Sequence, residues 1–248
     1  ARSMFQNRVE ERKPVWLHEL TYPLMQGWDA VAMSVDLEVG GSDQTFNMLV
    51  GRDLVKRYQD REKWVLATKL IEDPNGKKMG KTEGNIVNIQ DFPEWKYEAI
   101  MSWPDAAIPL GFELITSVPM THVDNIAGLL KKGELHPADA KRALAYRVVY
   151  ELDGEEAADY AEEEFDLVYR QRQLPKRILE IEADPSSGVI DFLVISGLAK
   201  DEGEAGQLIA RRSVFAEGKP IRRSYQPQNR ALIQVGKRSI KNIRRVVI

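Results

Sequence analysis

Val31-Ala32-Met33-Ser34-Val35-Asp36-Leu37-Glu38-Val39, followed at once by Gly40-Gly41-Ser42-Asp43-Gln44, is the stretch from which the fold is read. Val31, Met33, Val35, Leu37 and Val39 recur at every second position, the period of a strand. Gly40 and Gly41 end that strand. A helical pattern then runs from about Gln44 to Tyr58, with Phe46, Leu49, Val50 and Leu54 on one face. Trp64 to Ile71 is a second strand-like run. Strand and helix alternating in this way predict an α/β layer fold. The point where a strand passes through glycine into a helix is where open α/β sheets bind ligands. Without Cβ atoms, Gly40 and Gly41 let a ribose or adenine lie against the backbone, and Asp43 at the helix start can accept from ribose hydroxyls. A plain glycine turn would read the same way on spacing alone.

Downstream, the turn signal Asp73-Pro74-Asn75-Gly76 leads into Lys78-Met79-Gly80-Lys81-Thr82. A phosphate-cradling loop of the G-x-x-x-x-G-K-T type would need glycine at position 75, and the glycine stands at 76. The expectation is therefore a loop that closes over a triphosphate, with Lys78 and Lys81 offsetting charge on a departing pyrophosphate. The alternative is a solvated hairpin tip. Upstream, Tyr22, Gln26 and Asp29 fall at i, i+4 and i+7, which aligns them if the segment is helical. Two hydrogen-bonding groups and a carboxylate on one face suit a small zwitterionic ligand with a polar tip. A structural polar helix face has the same spacing.

Beyond about Trp103 the pattern turns helical. Thr121 can cap a helix that stops at Gly133, Pro137 opens a helix to about Leu152, and an acidic helix spans about Glu155 to Tyr169. Ala183-Asp184-Pro185-Ser186-Ser187-Gly188 has linker composition. After it come a short apolar helix from Val189 to Ser196, a helix from about Glu202 to Ala210, and β-like segments at Val214-Phe215 and Ala231 to Val235.

The 248-residue chain has a net charge of −3, but from Gln207 onward there are eleven basic residues and one acid, Glu217. A terminal region carrying +10 against −13 elsewhere predicts a polyanion-binding end, most often nucleic acid, with a solvated basic surface as the alternative. There is no cysteine, so disulfides and cysteine-ligated zinc are excluded, and a reducing cytoplasm fits. His18, His122 and His136 show no ligand spacing and are read as structural. There is no apolar run long enough to span a bilayer and no signal-peptide pattern.

Taken together, Tyr-x-x-x-Gln-x-x-Asp, Gly-Gly-Ser-Asp-Gln and Lys-Met-Gly-Lys-Thr resemble tyrosyl-tRNA synthetase, a class I aminoacyl-tRNA synthetase. The resemblance covers essentially the whole chain. Lys78 to Thr82 is similar to the family's KMSKS loop, with Gly80 and Thr82 in place of two serines. It implies that Lys78, Lys81 and Thr82 are catalytic, and that Gly41, Asp43, Met79 and Lys81 bind ATP. It implies that Tyr22 and Gln26 contact the α-amino group of bound tyrosine, that Gln44 supports its ammonium or carboxylate end, and that Asp29 accepts from its phenol. Glu38 stands where many bacterial members have Gln. His136 to Lys141 and Gly154 to Ala157 resemble the family's helical anticodon-side domain. The last part resembles a small RNA-binding module, with Arg211, Arg212, Arg222 and Arg223 as RNA contacts.

The implied architecture is the second half of a Rossmann-like catalytic domain over 1–104, an α-helical anticodon-side domain over 105–183 and a small basic α+β RNA-binding module over 184–248. The implied activity is tyrosine–tRNA ligation with ATP and its Mg²⁺, on tRNA(Tyr), in the cytoplasm. A homodimer is expected for the full-length enzyme, and no membrane. The family's His-x-Gly-His motif occurs nowhere here, so the chain is expected to lack the first half of the catalytic domain and to be inactive alone. Two alternatives are a non-catalytic RNA-binding protein derived from a synthetase and tryptophanyl-tRNA synthetase. The basic terminal module and the Gly-Gly-Ser-Asp-Gln spelling count against the second of these.

Overall fold

The computed structural model describes residues 6, 8–71, 87–184, 186–236 and 239–248. The chain divides into two compact units, 1–78 and 79–248.

In the first unit, helix α1 (Leu17–Ala32) leads to strand β1 (Leu37–Gly41). Helix α2 (Thr45–Gln59) follows, then strand β2 (Trp64–Thr68). β1 and β2 pair in parallel, with Leu37 opposite Trp64 and Gly41 opposite Thr68. Such pairing needs a crossover, and α2 supplies it. α1 and α2 pack through two glycines. A Cβ at Gly27 would lie 2.9 Å from Leu54 Cδ1 and 3.2 Å from the Gly51 Cα, so any side chain there would push the helices apart.

The alternation from Val31 misplaced the strand start. Val31 lies in the last turn of α1, packed with Ala30 and Val55, and Met33 caps that helix. Ser34, at φ 54°, breaks the chain between helix and strand. Val31 and Val35 both serve this core, one from a helix end and one from a connector. Two apolar positions of that kind imitate a strand period across a junction. The α2 face also differs: Met48, Gly51 and Val55 are buried, while Phe46 is exposed.

In the second unit, α3 (Pro93–Met101), α4 (Ile108–Ile115), α5 (Met120–Lys132), α6 (Pro137–Asp153) and α7 (Glu155–Tyr169) form a helical layer. α5 ends at Gly133 in the left-handed conformation, φ 72°, which glycine adopts without a Cβ clash. Its N-cap is Pro119; Thr121 lies inside the helix. His136 caps α6 by accepting from the Ala138 N–H at 3.1 Å. α3 packs on α6 and α7, so residues 93–101 lie with the helices.

A five-stranded sheet follows, in the order β3 (Leu179–Glu182), β7 (Ile243–Val247), β6 (Leu232–Val235), β4 (Val214–Ala216), β5 (Lys219–Pro220). Because β3 pairs with β7, this sheet begins before the linker-like stretch at 183–188. Helices α8 (Val189–Ile195) and α9 (Glu202–Ala210) cover it through Phe192, Leu193 and Ala205 against Val214, Ile233 and Val246. Glu98 of α3 accepts from the backbone N–H groups of Ile240 at 3.0 Å and Lys241 at 3.2 Å. Lys241 and Arg244 lie over the Trp95 ring at 5.1 and 5.4 Å, so sheet and helices are joined by a charged, aromatic seam.

Candidate active site and nucleic-acid interface

The carboxyl end of β1 runs through Gly40 and Gly41 into Ser42–Gln44 and α2. The glycines are demanded by their own neighbours. A Cβ at Gly41 would meet Leu70 Cδ2 at 2.6 Å and Asp43 Oδ1 at 2.7 Å, and one at Gly40 would meet Met48 Sδ at 3.0 Å. Asp43 is exposed, and Gln44 Nε2 reaches its carboxylate at 3.4 Å. Gln44 Oε1 accepts from Asn47 Nδ2 at 3.0 Å. An exposed acceptor beside a glycine backbone at a strand end fits a nucleotide's ribose.

Tyr22, Gln26 and Asp29 all lie on α1. Tyr22 and Asp29 are exposed; Gln26 is half-buried and donates to Glu38 Oε1 on β1 at 2.9 Å. Glu38 Oε2 accepts from the buried Lys63 ammonium, which also donates to the Met48 carbonyl at 3.2 Å. Burial pushes the Glu38 carboxyl up. The hydrogen bonds from Lys63 and Gln26, with the charge of Lys63, outweigh that and hold it below the usual carboxylate range. Lys63 escaped the sequence reading. A lysine just before a strand reads as solvated, and only the packing shows it to be 1% exposed. Lys78, Met79, Lys81 and Thr82 lie outside the described residues.

On the terminal sheet, Arg211 and Arg212 precede β4, and Arg222 and Arg223 follow β5. The hairpin brings the two pairs to one end, since the Ile221 N–H bonds the Val214 carbonyl at 3.0 Å. All four, with Lys219 and Arg230, are exposed and in no ion pair among the described residues. Three other basic residues are used internally. Lys241 pairs with Asp91 at 2.9 Å and Arg245 with Glu180 at 3.2 Å. Arg244 is buried, and donates to the carbonyls of Ser196, Lys241 and Ile243. Lys237 and Arg238 lie outside the described residues. Among the described residues the free cationic surface of this region is therefore narrower than composition suggests, with four of its arginines at the hairpin base.

In chain order, a parallel βαβ layer is followed by helices and then by a sheet with exposed arginines at one end. The chain belongs to the class I tRNA synthetases of the tryptophan and tyrosine kind: the family model described as "tRNA synthetases class I (W and Y)" matches residues 1–170. Within that family it is similar to the tyrosine–tRNA ligase of Thermotoga maritima, 33% identical over 246 residues, covering 98% of this chain and 61% of the relative. It is also similar to that of Carboxydothermus hydrogenoformans, 37% identical over 227 residues, covering 89% of this chain and 55% of the relative. The chain thus spans about 60% of the length of the curated relatives it matches. A mitochondrial tyrosyl-tRNA synthetase structure from Aspergillus nidulans overlaps 66% of this chain and 48% of its own, at 24% identity and a TM-score of 0.47.

Proposed function

We propose that this chain is the tyrosine-binding and tRNA-binding part of a tyrosine–tRNA ligase. The observation that carries this is the tie between α1 and β1, Gln26 to Glu38, which holds the Tyr22–Gln26–Asp29 helix beside the glycine end of the strand. An amino acid and a nucleotide would then lie side by side at one sheet mouth. Asp29 takes the phenol hydroxyl, Tyr22 and Gln26 take the ammonium group with Gln44 in support, and Gly41 and Asp43 take the ribose.

The reaction is attack of the tyrosine carboxylate on the α phosphorus of ATP, which forms the acyl–phosphate bond and releases pyrophosphate. A ribose hydroxyl of the tRNA 3′ end then displaces AMP. The first nucleophile is ionised at neutral pH, so positioning and charge stabilisation do the work, with Lys78, Lys81 and Thr82 assigned to the departing pyrophosphate and Met79 to ATP. Mg²⁺ arriving with ATP would be held mainly by phosphates rather than by a protein cage. The helical layer and Arg211, Arg212, Arg222 and Arg223 would hold tRNA, in a cytoplasmic homodimer. Among the described residues no helix is long and apolar enough to cross a membrane.

Asp29 is exposed in the free protein and would be covered by a bound amino acid, so phenylalanine would leave its carboxylate without a donor, a discrimination for which this enzyme family is itself the standing example. The test is amino-acid-dependent ATP–pyrophosphate exchange by a full-length ligase that carries these residues. Exchange with L-tyrosine but not L-phenylalanine, lost in Asp29→Ala, supports the assignment. Equal exchange with both amino acids, or with neither, overturns it.

A further inference from the structure

We propose that Lys63 is a positioning residue of the tyrosine site: acting through Glu38, it decides which end of the Gln26 amide faces the ligand. This rests on the reading of Gln26 as a contact for the ligand's ammonium group.

Three observations carry it. First, Lys63 is locked. Its ammonium is buried, bonded to Glu38 and to the Met48 carbonyl. The space it occupies exists because residue 51 is glycine; a Cβ there would stand 2.6 Å from Lys63 Nζ. A buried ammonium is tolerated only with a partner, because taking it out of water costs several kcal/mol. Second, Glu38 shares its two oxygens, one with Lys63 and one with Gln26 Nε2. Third, Glu38 is kept ionised by that pairing.

The chemistry follows from donor and acceptor identities. An ionised carboxylate can only accept hydrogen bonds. It can therefore face the NH₂ end of the Gln26 amide and not the oxygen end. Gln26 Oε1 is turned away from Glu38 as a free acceptor, which is the polarity an ammonium group needs. Without Lys63, the half-buried Glu38 takes up a proton more readily and can donate. The amide then loses its reason to keep one orientation, and its NH₂ can face a cation that it repels. The orientation of a glutamine amide is ordinarily a matter of its surrounding network. Here a charge two residues removed sets it.

The test compares L-tyrosine with 3-(4-hydroxyphenyl)propionate, which keeps the phenol and carboxylate but lacks the ammonium group, by titration calorimetry. The wild-type protein is expected to prefer tyrosine. Lys63→Met should reduce that preference by roughly tenfold or more, the size of one charge-assisted hydrogen bond, while affinity for the desamino compound stays within about twofold. Lys63→Met/Glu38→Gln leaves no buried charge unpaired, so it keeps the question open to measurement if the single variant fails to fold. It should show the same lost preference. An unchanged preference in the double variant, or equal loss of both ligands there, would overturn the inference and leave Lys63 a purely structural ion pair. A wild-type protein that binds tyrosine no better than the desamino compound would instead overturn the reading of Gln26, and this inference with it.

Discussion

The two units handle apolar surface in opposite ways. Residues 87–248 enclose theirs: Tyr97, Ile108, Leu144 and Val149 are buried among the helices, and Phe192, Leu193 and Ile233 are buried under the sheet. The first unit buries Ala30, Val31, Met48 and Val55, yet Leu37, Val39, Trp64 and Leu66 are each at least half exposed. The register sets Leu37 beside Trp64 and Val39 beside Leu66, so these four form one apolar face on the side away from α1 and α2. On α1, Leu17, Leu20, Leu24 and Trp28 are exposed as well. Parallel sheets are stable when both faces are covered, and the exposed apolar side chains of α1 are surface of the same uncovered kind. The contrast teaches that two units of one chain can differ in how far each covers its own apolar surface. One unit's stability is written in its own contacts; the other presents the surface on which further packing would act.

That contrast can be broken. Leu144→Ala removes a fully buried side chain that α4 approaches through Gly111, where a Cβ would meet Leu144 Cδ2 at 2.7 Å. A loss of about 3 kcal/mol is expected in the second unit. Hydrogen exchange should quicken across α6 and α7 and leave α1 and α2 unchanged. If protection fell equally in both units, they would be one cooperative body.

Next in size is Arg142→Met. Arg142 binds Asp166 at 2.6 Å and Glu162 at 3.0 Å, joining α6 to α7. The hydrogen bond from Arg142 holds the Asp166 carboxyl below its usual range. A depressed carboxyl stabilises the fold above its unfolded pKa and ceases to do so as pH falls through the folded value. The variant should therefore melt earlier by about 2 kcal/mol at pH 7, with the gap from wild type narrowing below about pH 4. A gap independent of pH would remove Asp166 from the account.

Glu98→Ala should cost about 1 kcal/mol, by freeing the Ile240 and Lys241 N–H groups at the seam with the terminal sheet. Faster exchange confined to residues 239–242, with a shift in Trp95 fluorescence, would be the signature. Smallest is Leu66→Ser on the open sheet face, expected within about 0.5 kcal/mol of wild type in thermal melts. A large loss there would mean that the face is already covered in solution, and would erase the difference between the units.

Much of the second unit was legible because its helix ends carry local chemistry. Pro137 opens α6, Gly133 closes α5, and the periodic runs from Glu155 to Tyr169 and Glu202 to Ala210 match α7 and α9. The short helices α3 and α4 and the strand β3 were missed. In α3 the charged Glu94 and Lys96, on different sides of the helix, are both buried, so no amphipathic pattern announces it. β3 is four residues long and acquires strand character only by pairing with β7. At the candidate site, the spacing of Tyr22, Gln26 and Asp29 aligned them only on the condition of a helix, which α1 meets, whereas the Gln26–Glu38–Lys63 chain had no sequence signal.

The sequence by itself determined the family, the order of elements in the helical region and the sign of the terminal charge, because each is carried by residue type and spacing along the chain. Tertiary structure alone decided where the first strand begins, which of the described terminal cations form ion pairs, and that a lysine lies buried behind Gln26. Those outcomes depend on what residues distant in sequence bring within a few ångströms. Burial and electrostatic pairing act across space, where local periodicity has no reach.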